Sequence, residues 1–264
     1  MEDGNFSNET GTPDSKPVEP TPKMGVVSTL INIFFDPGET FKDLKIKPRF
    51  VVAGLIIALL VGIYSFGLAM KVGETGMRTF ISEQIDKSPQ AGSLSPEQKK
   101  NAVDLQMNIG KYTRFAVPIF VFISFFIGAL LYWLGSKAFG GTGSFMQNLS
   151  VWVYSGFPPA VIGMIGNFIV MAVKSADEID LATSQRGLLN ANPGFFIDGK
   201  SMPIVATLLS TFDLFAIWGW ILAAIGLSTV NKMSKGASWA LVILIILIGL
   251  GFRLLGAVFS GNPS

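Results

Sequence analysis

One nearly unbroken apolar segment, residues 203–230, limits what this chain can fold into more than any other feature. At 1.5 Å per residue, a helix of that length crosses a hydrocarbon layer of about 30 Å. A single full charge, Asp213, lies inside it, and a carboxylate near the bilayer midplane costs about 2.5–3.5 kcal/mol. Thr207, Ser210 and Asp213 fall on one helical face. We therefore expect this polar stripe to point into a bundle of helices rather than into lipid.

Two interpretations of Asp213 follow from its depth. It is either an ion or substrate site, or a protonated or paired carboxyl group that holds neighbouring helices together. Arg253 is the predicted ionic partner, because the two last spans are antiparallel and joined by a short turn. The alternative is that Arg253 extends to the lipid headgroups, while a protonated Asp213 bonds to Ser210 or Tyr154.

The composition indicates a polytopic membrane protein and excludes several chemistries. Half of the 264 residues are hydrophobic and only 14% are charged, against about a quarter in soluble domains. The net charge of +2 gives no case for nucleic-acid binding. The chain lacks cysteine and histidine, which excludes thiol nucleophiles, histidine bases and Cys or His metal ligands. With one deep carboxylate instead of an aspartyl pair, we predict no enzyme activity and no cofactor.

The apolar pattern predicts an all-α membrane domain over residues 50–264, with five transmembrane helices. The expected spans are residues 50–70, 115–134, 149–173, 203–230 and 238–259. Residues 1–23 are expected to form a disordered polar tail. Residues 24–49 are predicted to form an interfacial helix followed by a basic anchor at the lipid headgroups. The apolar face of that helix contains Val27, Leu30, Ile31 and Phe34.

Three connecting features carry further expectations. Residues 71–114 form a polar loop, in which Ser95 begins a helix that continues into the second span. The glycine-rich residues 139–144 lack the sequence context of a phosphate loop and are expected to form a flexible connector. The third span contains Asn167 and the pair Pro158–Pro159, which predicts a kink or break in its backbone.

Membrane orientation is weakly encoded. Slightly more basic residues lie on the side opposite the N-terminus, and this count alone favours that side as the cytoplasmic one. However, the dense basic cluster before the first span favours a cytoplasmic N-terminus, because the first helix often dominates. We predict that orientation, in a bacterial cytoplasmic membrane.

Three segments resemble bacterial Yip1-domain proteins. They are FDPGETF at residues 35–41, FMQNLSVWVYSGFP at residues 145–158 and TFDLF at residues 211–215. Their order and spacing cover most of the chain from about residue 25 onward. The resemblance implies an integral membrane protein of five helices with a cytoplasmic N-terminus. Eukaryotic members of the family are linked to vesicle traffic and Rab-type GTPases, but no segment of this chain carries a motif for such a partner.

Two functions are consistent with the sequence. The first is a non-enzymatic membrane scaffold or adaptor that contacts the lipid bilayer and binds protein partners or a second copy of itself. The second is a channel or transporter subunit that uses Asp213 and the proline-broken third span. The polar candidates for a site within the membrane are few. They are Tyr154, Asn167, Thr207, Ser210, Asp213 and Arg253.

Overall fold

A computed structural model describes residues 21–88, 91–182, 184, 187–260 and 262–263. The predicted tail, residues 1–23, lies almost wholly outside the described residues. Within them the fold is all-helical, without strands. The helices are α1 (Val26–Phe35), α2 (Pro37–Ile46), α3 (Val51–Lys87), α4 (Pro96–Ala138), α5 (Phe145–Val173), α6 (Pro203–Ser210), α7 (Leu214–Asn231) and α8 (Lys235–Ser260).

Five of these helices, α3, α4, α5, α7 and α8, are long and apolar enough to cross a membrane. This confirms the predicted fold class, a multi-pass integral membrane bundle with a short apolar helix before the first span. Helix α5 lies at the centre of the bundle, where it contacts α3, α4 and α7. The bundle has two ends. The amino face carries α1, α2 and the α4–α5 and α7–α8 connectors, and the distal face carries the α3–α4 and α5–α6 connections.

The two short helices before the first span are joined at Asp36. Its side chain accepts a hydrogen bond from Glu39 N at 3.0 Å, and Pro37 follows at the first helical position, as the sequence predicts. The predicted apolar face of α1 is split between two surroundings. Phe34 packs edge-on against Phe157 and Trp218 in the bundle, whereas Val27 and Ile31 remain exposed. Helix α1 thus lies along the edge of the bundle.

The prediction of a polar loop at residues 71–114 is wrong, because both flanking helices continue into this segment. The helix that begins at Ser95 is confirmed, with a complete capping box between Ser95 and Gln98. Helix α3 also continues to Lys87, with a bend at Gly73. Gly73 has a φ of +72°, a conformation that residues other than glycine rarely adopt. We call residues 74–87 and 96–114 the distal hairpin.

The distal hairpin has a small apolar core and its own ion pairs. Ile81, Ile85 and Met107 are buried between its two helices. Arg78 bridges Glu74 at 3.0 Å and Asp104 at 2.6 Å. The Arg78 guanidinium, hydrogen-bonded to Asp104, lowers the pKa of that carboxyl group. The hairpin is therefore an ordered element and not a loose connection.

The positions of the helix breaks differ from the prediction in two spans. Helix α5 continues through Pro158 and Pro159, so of the two predicted alternatives, a kink or a break in the third span, the break is wrong. The expected single span at residues 203–230 is instead divided between α6 and α7 at residues 211–213. The fourth crossing, not the third, is the discontinuous one.

Candidate functional site

Asp213 caps the helix that begins at the break. Its Oδ1 atom accepts a hydrogen bond from Phe215 N at 2.9 Å, and its Oδ2 atom accepts one from Asn192 Nδ2 at 3.2 Å. Leu214 N donates to Ala191 O at 3.1 Å. An Asp side chain at this position satisfies an amide that the helix leaves free. The break therefore follows from a local capping signal and is fixed by the α5–α6 connection.

The break also changes the depth of Asp213. Helix α7 has 18 residues from Leu214 to Asn231, which corresponds to about 27 Å along its axis. This length matches a hydrocarbon layer of about 30 Å, and since Asn231 lies at the amino face, we infer that Asp213 lies near the distal edge of that layer. The prediction of a position near the midplane assumed one continuous helix, which the break between α6 and α7 contradicts.

Arg253 contacts the neighbouring hydroxyl groups instead of Asp213. Its Nη1 atom donates to Thr211 Oγ1 at 2.8 Å, and its Nη2 atom donates to Ser210 Oγ at 2.6 Å. A longer contact, 3.4 Å, joins Nη2 to Thr207 O. None of the ion pairs between described residues joins Asp213 and Arg253. The predicted ion pair is therefore wrong, although Arg253 does bind the predicted stripe through Thr207 and Ser210.

Asn167, buried on α5, holds the α5–α6 connection against the bundle. Its Oδ1 atom accepts hydrogen bonds from Leu188 N at 2.6 Å and Leu189 N at 3.0 Å, and its Nδ2 atom donates to Gly163 O at 2.9 Å. Gly187 adopts a φ of +127° beside it, and a Cβ atom there would lie 2.5 Å from Asn167 Oδ1. The amide group of Asn167 thus fixes one wall of the distal face.

A half-open cavity of about 450 Å³ lies between α5, the α5–α6 connection and the break. We call it the distal cavity. Three of the predicted polar residues, Asn167, Ser210 and Asp213, line it, together with Asn192 and Asp198. The backbone N–H group of Lys200 donates a hydrogen bond to the carboxylate of Asp198, and this bond lowers the pKa of Asp198. Among the described residues, His, Cys, Asp and Glu side chains do not gather in groups of three that could hold a metal ion.

Tyr154 lies away from this cavity. It is on α5, nine residues before Gly163 of the cavity wall, which places it about 13 Å nearer the amino face. Its ring is buried in the main core beside Phe157. The structure therefore does not bring Tyr154 to Asp213, and the alternative hydrogen bond between them does not form.

The amino face contains a second polar cluster, which the sequence interpretation missed. Asn148 on α5 and Asn231 at the end of α7 form a reciprocal amide pair, with two Nδ2-to-Oδ1 hydrogen bonds of 3.0 Å. Both side chains are completely buried. The only sequence signal is an asparagine near each end of an apolar span, because the pairing depends on the packing of α5 against α7.

The glycine-rich connector closes over this amide pair. Thr142 N donates to Asn231 O at 3.0 Å. A Cβ atom on Gly143 would lie 2.1 Å from Asn231 Oδ1, and one on Gly141 would lie 2.8 Å from Ser136 O. The glycines are therefore required for close approach. The connector, expected to be flexible, is held against α7.

A buried ion pair lies between α2 and the start of α3. Arg49 Nη1 is 3.6 Å from Asp43 Oδ2 and donates to Thr29 Oγ1 at 2.9 Å. Asp43 Oδ1 accepts hydrogen bonds from the backbone N–H groups of Lys23 and Met24. Asp43 is 4% exposed and Thr29 is fully buried. Arg49 was predicted to reach the lipid headgroups, and instead it folds inward and anchors the N-terminal segment.

Lys45, another member of the predicted basic anchor, also turns toward the bundle. Its Nζ atom donates to Thr229 O at 3.1 Å, near the C-terminal end of α7, where a helix favours a cation. Burial, and to a lesser extent the charge of Lys232, lowers the pKa of Lys45. Gln147 Nε2 donates to Lys45 O at 2.6 Å. We use the name amino-face layer for four features together: the contacts of Lys45 with Thr229 and Gln147, the Asn148–Asn231 pair, the glycine-rich connector and the Asp43–Arg49 pair.

Comparison with known proteins gives two findings. A family model described as Yip1 domain matches residues 31–258. The chain is also similar to a Bacillus subtilis protein described as membrane protein YknW, with 26% identity over 258 residues, covering 97% of this chain and 95% of the relative. No solved structure matches the chain.

Proposed function

Because the chain belongs to the Yip1 domain family, we propose that it is a non-enzymatic membrane scaffold or adaptor whose distal hairpin binds a partner protein. The observation that carries this proposal is the surface of the hairpin. Leu105, Ile109 and Tyr112 are 60%, 50% and 77% exposed, and their spacing places them on one face of α4. They precede the predicted second span, residues 115–134, and we therefore infer that they lie outside the hydrocarbon layer.

The rigidity of the hairpin supports a docking role. Its apolar core and the ion pairs Arg78–Asp104 and Lys99–Asp86 hold the two helices together. At its tip, Lys87 Nζ donates to Asn262 Oδ1 at 2.8 Å, which connects the tip to the C-terminal end of the chain. A preorganised surface binds with less loss of conformational entropy than a mobile loop.

The chemistry of the partner follows from the apolar face. Lys100 and Lys111 are exposed on the same helix, but at 100° per residue they point away from Leu105, Ile109 and Tyr112. A helix that carries an apolar stripe therefore matches this surface in shape. Such a partner is a membrane protein or a peripheral protein with its binding helix close to the bilayer.

Site-specific photo-cross-linking in native membranes tests this proposal. A photoreactive residue at Ile109 should give one discrete protein adduct, and the same residue at Thr79, exposed on the other hairpin helix, should not. The double variant Leu105→Ser and Ile109→Ser should reduce co-purification of that partner about tenfold, since each apolar side chain contributes roughly 1 kcal/mol or more. Equal adducts at both positions, or unchanged co-purification, would contradict the proposal.

The second candidate is a channel or transporter subunit, which Asp213 at a broken helix favours. The closed amino-face layer supports the scaffold instead, because the buried Asn148–Asn231 pair and the connector occupy the end of the bundle opposite the distal cavity. Purified protein in liposomes should therefore give no selective solute flux. A flux that disappears in Asp213→Asn would favour the transporter.

The proposed location is a bacterial cytoplasmic membrane with the amino face in the cytoplasm. The chain has no native cysteine, so single introduced cysteines report topology directly. Cysteines in place of Lys42 on α2 and Ser82 on the hairpin, both exposed, should react with a membrane-impermeant reagent from opposite sides. In intact cells only the cysteine at position 82 should react.

A further inference from the structure

The distal cavity has an electrostatic character that favours one class of ligand. Two carboxylates, Asp198 and Asp213, line it, and the described lining contains no basic side chain. Arg253 does not contribute to the lining, and its guanidinium is bonded to Ser210 and Thr211. The two carboxylates favour a cation in this cavity, and the Arg253 guanidinium, 2.6 Å from Ser210 Oγ, opposes one close to Ser210.

The carboxylate of Asp213 retains capacity to accept further hydrogen bonds. Each of its oxygens accepts one hydrogen bond, from Phe215 N and from Asn192 Nδ2, whereas a carboxylate provides about four acceptor positions. Asn192 supplies further polar atoms at the same wall, whereas the hydroxyl group of Ser210 is already bonded to Arg253 and to Thr207 O. An ammonium group, with several N–H donors, can use these acceptors together.

The remaining wall is apolar. Pro159, Met164, Phe195 and Phe215 line the cavity, and such surfaces contact hydrocarbon rather than a hydrated metal ion. The volume of about 450 Å³ is within the range of small-molecule sites, roughly 300–1,000 Å³. The cavity therefore matches a ligand that has a charged end and an apolar body.

The position of the cavity is consistent with such a ligand. Phe212 and Leu214, on either side of Asp213, are 59% and 65% exposed, as expected for side chains that face lipid at the distal edge of the bilayer. An amphipathic molecule concentrates at this depth, with its charge near the headgroups and its apolar part in the hydrocarbon.

We propose that the distal cavity binds an organic ammonium ion with an apolar body, and that Asp213 accepts the ammonium group. The source is either a lipid with an amine headgroup or a water-borne amine. In both cases the recognised chemistry is the same: a carboxylate and polar oxygens for the N–H donors, and the aromatic and aliphatic wall for the attached chain. This inference does not depend on partner binding by the hairpin.

Binding of hexylamine to the purified full chain in detergent tests the proposal, with hexanol as the neutral analogue. Hexylamine should bind about tenfold more tightly than hexanol, because a hydrogen bond to a charged group contributes about 1.5–3 kcal/mol. Asp213→Asn should weaken hexylamine binding by a similar factor without removing the helix cap. Asp177→Asn, which neutralises an exposed carboxylate outside the cavity, should leave binding unchanged.

Native mass spectrometry from lipid nanodiscs separates the two sources. Retention of phosphatidylethanolamine over phosphatidylglycerol by the unmodified chain, lost in Asp213→Asn, identifies a lipid headgroup. Binding of hexylamine without lipid retention identifies a water-borne amine. Equal binding of hexylamine and hexanol together with no lipid preference, or amine binding unchanged in Asp213→Asn, would overturn the proposal.

Discussion

Polar side chains at the two ends of the bundle are satisfied in different ways. At the amino face, Asn148 and Asn231 satisfy each other directly, and glycines allow the connector to close over them. At the distal face, Asn167 and Asp213 bind loop backbone and a helix end, and they leave a cavity beside them. The same residue types therefore close one end of the bundle and leave a half-open cavity at the other.

This difference predicts where substitutions affect stability. In the amino-face layer, the polar groups are bonded to other protein groups inside the bundle, so the loss of one partner leaves a buried group without full compensation. At the distal cavity, water or a ligand can replace a lost partner. We therefore expect the amino-face variants to unfold more easily and the distal variants to retain their stability.

The largest effect is expected for Arg49→Gln. This substitution leaves the carboxylate of Asp43, 4% exposed, without its 3.6 Å cationic neighbour. Removing one partner of a buried ion pair costs about 3–5 kcal/mol, and we expect about 3 kcal/mol here because Arg49 keeps some exposure. Equilibrium unfolding in mixed detergent measures it. Lys47→Gln, which removes an exposed charge two residues earlier, should change stability by less than about 0.5 kcal/mol.

A smaller loss, about 2 kcal/mol, is expected for Gly143→Ala. The added Cβ atom would lie 2.1 Å from Asn231 Oδ1, so the connector or the amide pair must move. The matched control is Gly156→Ala on α5, where no atom lies within 4 Å of the new Cβ atom. The control should be neutral or slightly stabilising, since Gly is unfavourable within helices. Equal losses in both variants would show that the close approach is not the cause.

The sequence predicts those parts of the fold that depend on local signals. The caps at Asp36 and Ser95 and the length of α8 follow from residue patterns within one turn or one span. The family resemblance, based on three short segments, is confirmed by the match over residues 31–258. The hairpin was missed because charge in residues 71–114 suggested a loop, whereas pairs such as Glu74–Arg78 stabilise a helix outside the membrane.

The candidate site could be predicted only in part, because depth depends on helix continuity. Asp213 was placed near the midplane on the assumption of one continuous span, yet an aspartate followed by an apolar run is equally a helix-capping signal. Both interpretations fit the same hydropathy profile of residues 203–230. The structure brings Asn167, Ser210 and Asp213 to one cavity and leaves Tyr154 in the core. Contacts between distant segments, such as Asn192 with Asp213, have no signal in a single sequence.

A double-mutant cycle on Asn148 and Asn231 tests the amide pair itself. Asn148→Leu and Asn231→Leu should each lose about 1–2 kcal/mol, because each leaves the other amide buried without its partner. The double variant should lose less than the two losses added, with a coupling of about 1 kcal/mol, as found for hydrogen bonds between membrane helices. Strictly additive losses would mean that the two amides are satisfied independently.

The smallest effect is expected at the distal cavity, for Asp213→Asn. Asparagine caps a helix about as well as aspartate, and its side-chain oxygen can accept the hydrogen bond from Phe215 N. Unfolding stability should change by less than about 0.5 kcal/mol, whereas Asp213→Ala, which removes the cap, should lose about 1 kcal/mol. Unfolding of both variants in the same detergent mixture, without added amine, measures the difference. If Asp213→Asn destabilises the chain as much as Arg49→Gln, then the carboxylate charge holds the distal face together and the contrast between the two ends disappears. If it does not, the charge of Asp213 is dispensable for folding and available for binding a cation.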